Sequence, residues 1–447
     1  MKTFLNTLIL IIFKIIPIVN IIVFPFQIRK TQKKGLYDAN EYYIYTQFEM
    51  GDPPQKVNCE LNFDIVDYFM TYSPLNVQPT YNSSLSKSII NTSMNGVITS
   101  RYTLGHCAYE NFYFYTDLEC QKKEIFESLI IIFPPTENKL AGCEIGLQSR
   151  HSNGKLESFI HNLKTKEIIN SYIWTLKFKN LNEGIIIFGA APHEYDSSNF
   201  NENELKFANT FSEKDKLYWC LHFKYDPISK NYTLSQNIKV KISPKILGVV
   251  ATYNYLNAVE EIFFKKYYQN NICEKKIVSF ENTNYFKIIC SKDDFTQNDI
   301  NKFPSLNLFN IVFNYTFILE GKELFTENEE GDAYEFLILI EIGSTRIEWK
   351  LGRIFLLKYQ ITFDDDNSLI GFYKHIEIIE NNTNSNNIFS TVVKYVILGV
   401  VIIIFIFLAF IIYKKLNVYF KRKKLANELE DDFMYIVGRN SDKSDKK

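Results

Sequence analysis

Short apolar runs separated by polar clusters fill the middle of the chain, from Tyr42 to His375. Most runs have the length of a strand and are rich in Val, Ile, Tyr and Phe, which favour strands. Two segments carry apolar residues at three- and four-residue spacing, which predicts helices; they are ESFIHNLKTKEII and NAVEEIFFKKYYQN. Few helices among many strands predict an all-β chain with sandwich or barrel-like lobes.

Each half of this region contains a strand that ends in an apolar-Gly-apolar turn. The first is EIGL, from Glu144 to Leu147, and the second is KLGRIF, from Lys350 to Phe355. Two lobes of similar structure would produce this repetition. The sequence therefore predicts a body with internal symmetry.

An apolar stretch follows a basic residue at the N-terminus. Lys2 precedes two apolar runs that extend to Phe26, a pattern typical of a signal peptide. Lys14 and Asn20 interrupt the stretch, which argues against a permanent span. We therefore interpret residues 1–23 as a signal peptide or N-terminal apolar segment, with an uncleaved anchor as the alternative.

A second apolar segment, residues 395–413, contains no charged residue and is long enough to cross a bilayer as a helix. Basic residues follow it at once, and such a cluster marks the cytoplasmic side. We predict a single-pass type I membrane protein of the cell surface or a secretory or endosomal membrane, with a lumenal or extracellular body. A stalk (residues 379–394) precedes the transmembrane helix, and a cytoplasmic tail (residues 414–447) follows it.

Glycosylation motifs and cysteines fit a lumenal or extracellular body. All seven cysteines precede the apolar segment, and most should pair in an oxidising compartment, which leaves at least one free or bonded to another chain. The N-x-Ser/Thr motifs also precede it and begin at Asn82, Asn91, Asn231, Asn314 and Asn381.

Charge and metal-ligand spacing exclude several classes of partner. The chain has 50 basic and 51 acidic residues, so no overall field favours nucleic acid. No pair of cysteines and histidines has the spacing of a zinc site. We therefore expect no nucleic-acid partner, no metal and no cofactor.

Four segments between Tyr42 and Phe372 resemble, in order, parts of the pepsin-like aspartic proteases. The resemblance implies an all-β, two-lobed pepsin-like fold with an N-terminal lobe (residues 36–205), a C-terminal lobe (residues 206–378) and a cleft between them. The segments resemble the opening strand and turn, the end of the first lobe, the strand that opens the second lobe, and the closing element; they are YYIYTQFEMGDPPQKV, EIGLQSR with EGIIIFGAAPHEYDSSNF, LYWCLHF, and EWKLGRIFLLKYQITFDDDNSLIGFYKH.

That family hydrolyses peptides with two facing carboxylates, one from each lobe. One acts as a base toward water and the other as an acid toward the peptide carbonyl. Counting from the MGDPPQKV turn puts the first aspartate position at Asn62, and alignment of KILGVVATYNYLNAVEEIF puts the second at Ala251. Neither side chain is an acid. Asp64 is a weak candidate for a substitute, and its ordinary interpretation is a turn residue.

The resemblance also implies a flap hairpin over the cleft, in SMNGVITSRYTLG. The position of the flap tyrosine falls at Ile89, and Gly96 lies in the hairpin. A glycan on Asn91 would hinder entry of a substrate.

Disulfides are implied by the same resemblance. Cys273 and Cys290 fall where the family often closes a second-lobe loop, so we expect a bond between them. Cys107, Cys120 and Cys143 could supply one bond in the first lobe.

We therefore expect a membrane-anchored homologue of pepsin-like proteases that binds peptides or partner proteins in the interlobe cleft and is catalytically inactive. Two alternatives remain open. One is a divergent but active aspartic-type endopeptidase that uses another acid. The other is a structural membrane protein without a working cleft.

Overall fold

Strand pairing organises the body of the protein, as the sequence pattern predicts. The computed structural model describes residues 20–33, 39–63, 70–72, 81–98, 103–133, 143–147, 159–213, 216–225, 237–280, 283–343, 348–373 and 413–418. Residues 1–377 form one compact unit. In the other unit, residues 378–447, the described residues 413–418 are helical.

The described strands form two sheets. Strands β12 and β13 make a separate two-stranded sheet, and the others join one extended hydrogen-bonded network. The strands are β1 Ile22–Lys33, β2 Ala39–Met50, β3 Gln55–Asn62, β4 Met70–Tyr72, β5 Ile90–Ile98, β6 Thr103–Tyr115, β7 Lys123–Phe133, β8 Cys143–Gly146, β9 Ile173–Asn180, β10 Glu183–Phe188, β11 Leu205–Asn209, β12 Phe211–Glu213, β13 Lys216–Tyr218, β14 Cys220–Tyr225, β15 Asn237–Ile242, β16 Val249–Ala251, β17 Cys273–Phe280, β18 Thr283–Ser291, β19 Leu306–Asn310, β20 Tyr315–Leu319, β21 Phe325–Glu327, β22 Ala333–Phe336, β23 Ile338–Glu341, β24 Glu348–Leu351, β25 Ile361–Asp364 and β26 Leu369–Tyr373.

Helices are short and lie between strands. The two segments with helical spacing are helical in the structure, at α1 and at α3 with α4. A π-helical turn, Glu260–Phe264, joins α3 to α4, and 3-10 turns occur at Ser83–Leu85 and Glu202–Glu204. The α-helices are α1 Phe159–Thr165, α2 Pro192–Tyr195, α3 Tyr253–Val259, α4 Lys265–Gln269, α5 Gln297–Asn301, α6 Gly321–Leu324 and α7 Arg353–Lys358.

One arrangement of four strands occurs twice. In the first copy, β3 runs parallel to β8, β8 antiparallel to β4, and β4 parallel to β7. In the second copy, β15 runs parallel to β24, β24 antiparallel to β16, and β16 parallel to β23. The central strands β8 and β24 lead into the two apolar-Gly-apolar motifs. The repetition predicted from those motifs therefore has a counterpart in strand pairing.

Two glycines, Gly248 and Gly352, allow backbone segments of the second copy to approach each other closely. The Gly352 N–H donates to the Gly248 carbonyl oxygen at 2.9 Å. A Cβ atom on Gly352 would collide with the carbonyl oxygens of Ile246 and Gly248, and one on Gly248 would collide with that of Leu337. Backbone atoms cannot yield as flexible side chains do, so this close approach depends on the missing Cβ atoms.

Aromatic rings from distant parts of the chain share one core. Trp174 stacks on Phe363 with centroids 4.1 Å apart, and Trp219 meets Phe363 edge-on at 4.9 Å. The Trp219 Nε1 donates to the Leu147 carbonyl oxygen at 2.6 Å. All three rings are buried. The strand β9, the residue before β14 and the strand β25 therefore contribute rings to a common interior.

Strands β1 and β2 continue as a two-stranded arm beyond their neighbours. The last pairing of β1 with β10 is Gln27 with Glu183, whereas its pairing with β2 runs on to Lys33 with Ala39. We call residues 28–33 and 39–44 the arm. Its contacts with the second half of the chain include the pairing of Ala39 with Ser279, the ion pair of Lys30 with Glu329 at 2.5 Å, and the Arg353 guanidinium 4.6 Å from the Tyr42 ring.

The end of the N-terminal apolar stretch belongs to the body. Ile22 and Val23 lie in β1 and are 0% exposed, and β1 lies between β10 and β2. Residues 1–19 lie outside the described part of the chain. A leader that is removed therefore has to end before β1 if this strand is to stay whole.

Helices in the described ranges are too short or too polar to cross a membrane. Residues 395–412, which carry most of the expected span, lie outside those ranges, as does the expected stalk.

Two disulfides fix neighbouring strands. Cys59 bonds Cys143 between β3 and β8, and Cys273 bonds Cys290 between β17 and β18. The expected bond between Cys273 and Cys290 is confirmed. In the first half, Cys143 bonds Cys59 because β3 pairs with β8 at this register, whereas Cys107 is a buried thiol and Cys120 a partly buried one. Burial raises the pKa of both thiols.

Candidate functional site

One face of β3 is polar although it is buried. Its alternate residues Val57, Cys59 and Leu61 face the core, as strand geometry requires. The residues between them, Asn58, Glu60 and Asn62, are also less than a tenth exposed. Glu144 of β8 lies directly opposite Glu60 in the parallel register and is 3% exposed.

Lys245 reaches this face from the loop between β15 and β16. Its Nζ atom lies 2.8 Å from Glu60 Oε1, and both side chains are about nine-tenths buried. The ammonium also lies 5.8 Å from the centroid of the Tyr43 ring. We call this cluster the polar junction; its members are Asn58, Glu60, Asn62, Glu144 and Lys245. Removal from water makes such an ion pair costly to break.

Asn62 ends β3 at the Gly146 turn. It lies opposite Gly146 in the parallel register, and its carbonyl oxygen accepts from the Leu147 N–H at 2.8 Å. Asn62 therefore lies at the end of a strand, beside the first apolar-Gly-apolar turn. The residue there is an amide.

Ser243 is the residue of the second copy that matches Asn62. Ile242 lies opposite Leu351, and the Ser243 N–H donates to the Leu351 carbonyl oxygen at 2.8 Å. Gly352 of the second copy corresponds to Gly146 of the first. The residue that follows Ile242 therefore lies opposite Gly352, as Asn62 lies opposite Gly146. That position is Ser243, and its hydroxyl is no more an acid than the amide of Asn62.

Ala251 lies one strand later than Asn62 does. It ends β16, whose counterpart in the first copy is β4, and in the matched register it corresponds to Thr71. It is 3% exposed and lies opposite Ile340 of β23. Asn62 of the first copy therefore corresponds to Ser243 of the second copy. Ala251 lies on β16, the strand that follows β15.

A hairpin stands at the position of the expected flap. Strands β5 and β6 pair from Ile90 with Tyr109 to Ile98 with Thr103, with Gly96 opposite Gly105. Ile89 is partly buried and packs against the core beside the base of this hairpin. Asp64 lies outside the described residues.

Glu110 holds the loop that leads into the hairpin. This carboxylate is 0% exposed and accepts hydrogen bonds from the Tyr81 hydroxyl, the Ser88 hydroxyl and, at 2.8 Å, the Asn111 N–H. Burial, and then the hydrogen bond to Glu110, raise the pKa of Tyr81. The base of the hairpin is therefore fixed by a buried polar network.

A cavity of about 100 Å³ adjoins the loop of Lys245. Tyr42 of the arm and Ser279 line it, and two further polar side chains, Lys287 and Glu335, form an ion pair at 2.6 Å. Most of the wall is apolar, and a cavity of this kind favours a hydrocarbon group. The apolar lining side chains are Ile246, Leu247, Val278, Phe336, Leu337 and Leu339.

The glycosylation motifs differ in their surroundings. Asn91 and Asn314 are exposed, whereas the Asn82 Oδ1 accepts from the Ser84 N–H at 3.1 Å and so caps the 3-10 turn. Asn231 and Asn381 lie outside the described residues.

Sequence reasoning missed Glu60, Glu144 and Lys245. The alternation in VNCELN is a visible signal, but a strand with one polar face is normally solvated on that face. Lys245 carries no local signal, because its contact with Glu60 joins residues far apart in the sequence. Burial of the polar face became visible only in three dimensions.

No grouping of three His, Cys, Asp or Glu side chains suited to a metal ion occurs in the described ranges. No family model matches the sequence, and no curated protein matches it either. The fold observed is mostly β and is compatible with the pepsin-like expectation.

Proposed function

We propose that this chain is a membrane-anchored protein with a pepsin-like body that binds peptides or partner proteins and does not hydrolyse them. The observation that carries the proposal is the pair of matched positions Asn62 and Ser243, neither of which is an acid. Hydrolysis in that family needs one carboxylate as base and another as acid. An amide and an alcohol cannot exchange protons in these roles at ordinary pH.

The ion pair beside these positions supports the same conclusion. Lys245 follows Ser243 by two residues, Glu60 precedes Asn62 by two, and their charged atoms are 2.8 Å apart. Because the Lys245 cation is bound to Glu60, the carboxylate of β3, this carboxylate is not free to act on a peptide. The junction is thus built as a closed polar contact between the two copies.

Binding is supported by the cavity next to the junction. Its apolar wall suits a hydrocarbon side chain, and strand edges near such pockets commonly hold extended peptides. A peptide with an aliphatic or aromatic residue is the ligand class that we propose.

A peptide library tests the proposal. We expect the purified full-length chain in detergent to leave an acid-exposed library intact by mass spectrometry, and to retain peptides enriched in apolar residues. A Leu337→Glu variant should lose this enrichment, because a carboxylate would enter the cavity. An Ile277→Glu variant is the matched control, since Ile277 is 46% exposed. Cleavage of the library would contradict the proposal.

A second candidate function, a divergent endopeptidase, draws on Glu60 and Glu144. These buried carboxylates lie opposite each other on neighbouring strands, and hydrolysis of the pepsin type needs two carboxylates. In that case the chain would cleave peptides at acidic pH and the Glu144→Gln variant would not. An Asp64→Asn variant would show in the same assay whether Asp64 contributes. A chain that neither cleaves nor binds would be a structural membrane protein.

A further inference from the structure

Two adjacent aliphatic side chains project from the turn between β19 and β20. Ile311 is 65% exposed and Val312 is 58% exposed. Isolated surface aliphatics are ordinary, but two neighbours at the tip of a hairpin form a compact apolar contact. We call these two residues the aliphatic tip.

The turn that presents the tip is rigidly held. Asn310 is buried, its Oδ1 accepts from the N–H groups of Val312 and Phe313 at 3.0 Å each, and its Nδ2 donates to the His222 carbonyl oxygen at 2.9 Å. Phe313 is 2% exposed and anchors the turn from below. Exposure of the tip is therefore built into the fold.

The tip lies beside the strand from which the chain leaves this unit. Phe372 of β26 lies 5.7 Å from Phe313 and 4.9 Å from Tyr315, between ring centroids. Residues 374–394 then connect β26 to the uncharged apolar segment 395–413. A connection of that length spans at most roughly 70 Å, so the body stays near any membrane that holds the segment.

We propose that the aliphatic tip contacts the lipid surface of the membrane that anchors the chain. Side chains of Ile and Val enter the apolar edge of the headgroup region, as the apolar faces of interfacial segments do. Lys224, exposed and paired in register with Phe309 of β19, adds a cation near the lipid phosphates. The proposal rests on the membrane anchor in the proposed function.

A glycan on Asn314 would oppose this contact. Asn314 is exposed and follows Val312 by two residues on the same turn. A bulky hydrated sugar there would keep the tip from the lipid. The proposal therefore requires Asn314 to be unmodified although it begins an N-x-Thr motif.

Fluorescence quenching by brominated lipids tests the contact in the full-length chain in nanodiscs. The three native tryptophans are at most 2% exposed, so they give a constant background in every variant. We expect a Val312→Trp variant to lose roughly half of its added emission, because such a contact reaches about 5–10 Å into the interface. A Leu85→Trp variant is the matched control, since Leu85 is 60% exposed and lies in the 3-10 turn Ser83–Leu85 of the first half of the chain; its emission should be unchanged.

Three results would overturn the contact. Equal quenching of the two variants in a chain that resists alkaline carbonate extraction would overturn the contact alone. A glycan on Asn314 in most molecules, found by mass spectrometry, would do the same. Release of the chain by carbonate would overturn both the anchor and the contact.

Discussion

Lys245 and Glu60 contribute to the body as a pair. Their charged atoms are 2.8 Å apart in a place where both side chains are about nine-tenths buried, and Glu144 lies opposite Glu60. Loss of the lysine would leave a buried carboxylate without this cation next to a second carboxylate. Loss of both charges together would remove the demand for a partner.

Substitution of Lys245 by Met should lower the free energy of unfolding by about 3–5 kcal/mol, because Glu60 would stay buried without this cation. The double variant Lys245→Met with Glu60→Leu should recover much of that loss. Urea unfolding measures both.

A Lys122→Met variant is the control for this pair. Lys122 forms an ion pair with Glu124 at 2.7 Å, but its side chain is 69% exposed, and exposed pairs contribute about 0–1 kcal/mol. An equal loss in the two lysine variants would contradict a special role for the buried pair.

Strand elements show how far the sequence could predict the fold and the site. The motifs EIGL and KLGRIF gave the internal repeat, and the spacing from the turn at Gly51 placed Asn62 at the end of β3. The second position could not be placed as well, because the apolar run before α3 offers two strand ends. The end of β15, at Ile242, matches β3, whereas alignment on the helix selected the end of β16, at Ala251. The pairings of β15 and β16 with β24, which is distant in sequence, show which of the two strand ends corresponds to the end of β3.

A Gly352→Ala variant tests the close backbone approach that follows β24. The added methyl group would collide with the carbonyl oxygens of Ile246 and Gly248, so the free energy of unfolding should fall by about 1–3 kcal/mol or more. Gly343→Asn is the control, because nothing lies within 4 Å of an added Cβ atom there and Asn tolerates the positive φ angle. Denaturant unfolding should separate the two variants clearly.

The Tyr359 side chain hydrogen-bonds to the backbone of β20. Its hydroxyl donates to the Ile318 carbonyl oxygen at 2.9 Å and accepts from the Ile318 N–H at 2.8 Å. Burial is the main reason that the pKa of Tyr359 is raised from 10.0 to about 12. Because the folded-state pKa is the higher one, this stabilisation is complete below pH 10 and is lost as the pH rises toward 12.

Tyr359→Phe should therefore lower the stability by about 1–2 kcal/mol near neutral pH. Its stability should also fall less steeply than that of the wild type between pH 10 and 12. Thermal unfolding across this pH range measures both effects. Tyr253→Phe, at a residue that is 54% exposed, should follow the wild type; parallel curves for all three proteins would refute the role of Tyr359.

At the scale of the whole molecule, the N-terminal strand ties distant regions together. β1 contacts β10 and β2 in the first half, and its arm reaches Glu329 in the second half. A boundary at residue 23 was expected from hydrophobicity alone. An apolar run that leads into a buried strand has no local mark where the leader ends and the body begins.

N-terminal sequencing of the secreted or membrane-bound protein should give a first residue no later than Ile21. A chain that starts at Phe24 should be less stable, since burial of Ile22 and Val23 contributes about 1.5–3 kcal/mol each. A chain that starts at Ile21 is the control and should match the mature protein. A mature N-terminus at Phe24 with full stability would show that β1 does not need its first two residues.

The place of β1 also bears on how the protein is made. Ile22 is among the first body residues to be synthesised, yet its partner Phe188 follows only after most of the first half has been synthesised. At about 5–20 residues per second, translation leaves this strand edge unpaired for on the order of 10–30 s. During that interval the nascent chain exposes apolar residues that will later be fully buried, so its yield in the cell should depend on chaperones that cover the β1–β2 hairpin until β10 has emerged from the ribosome.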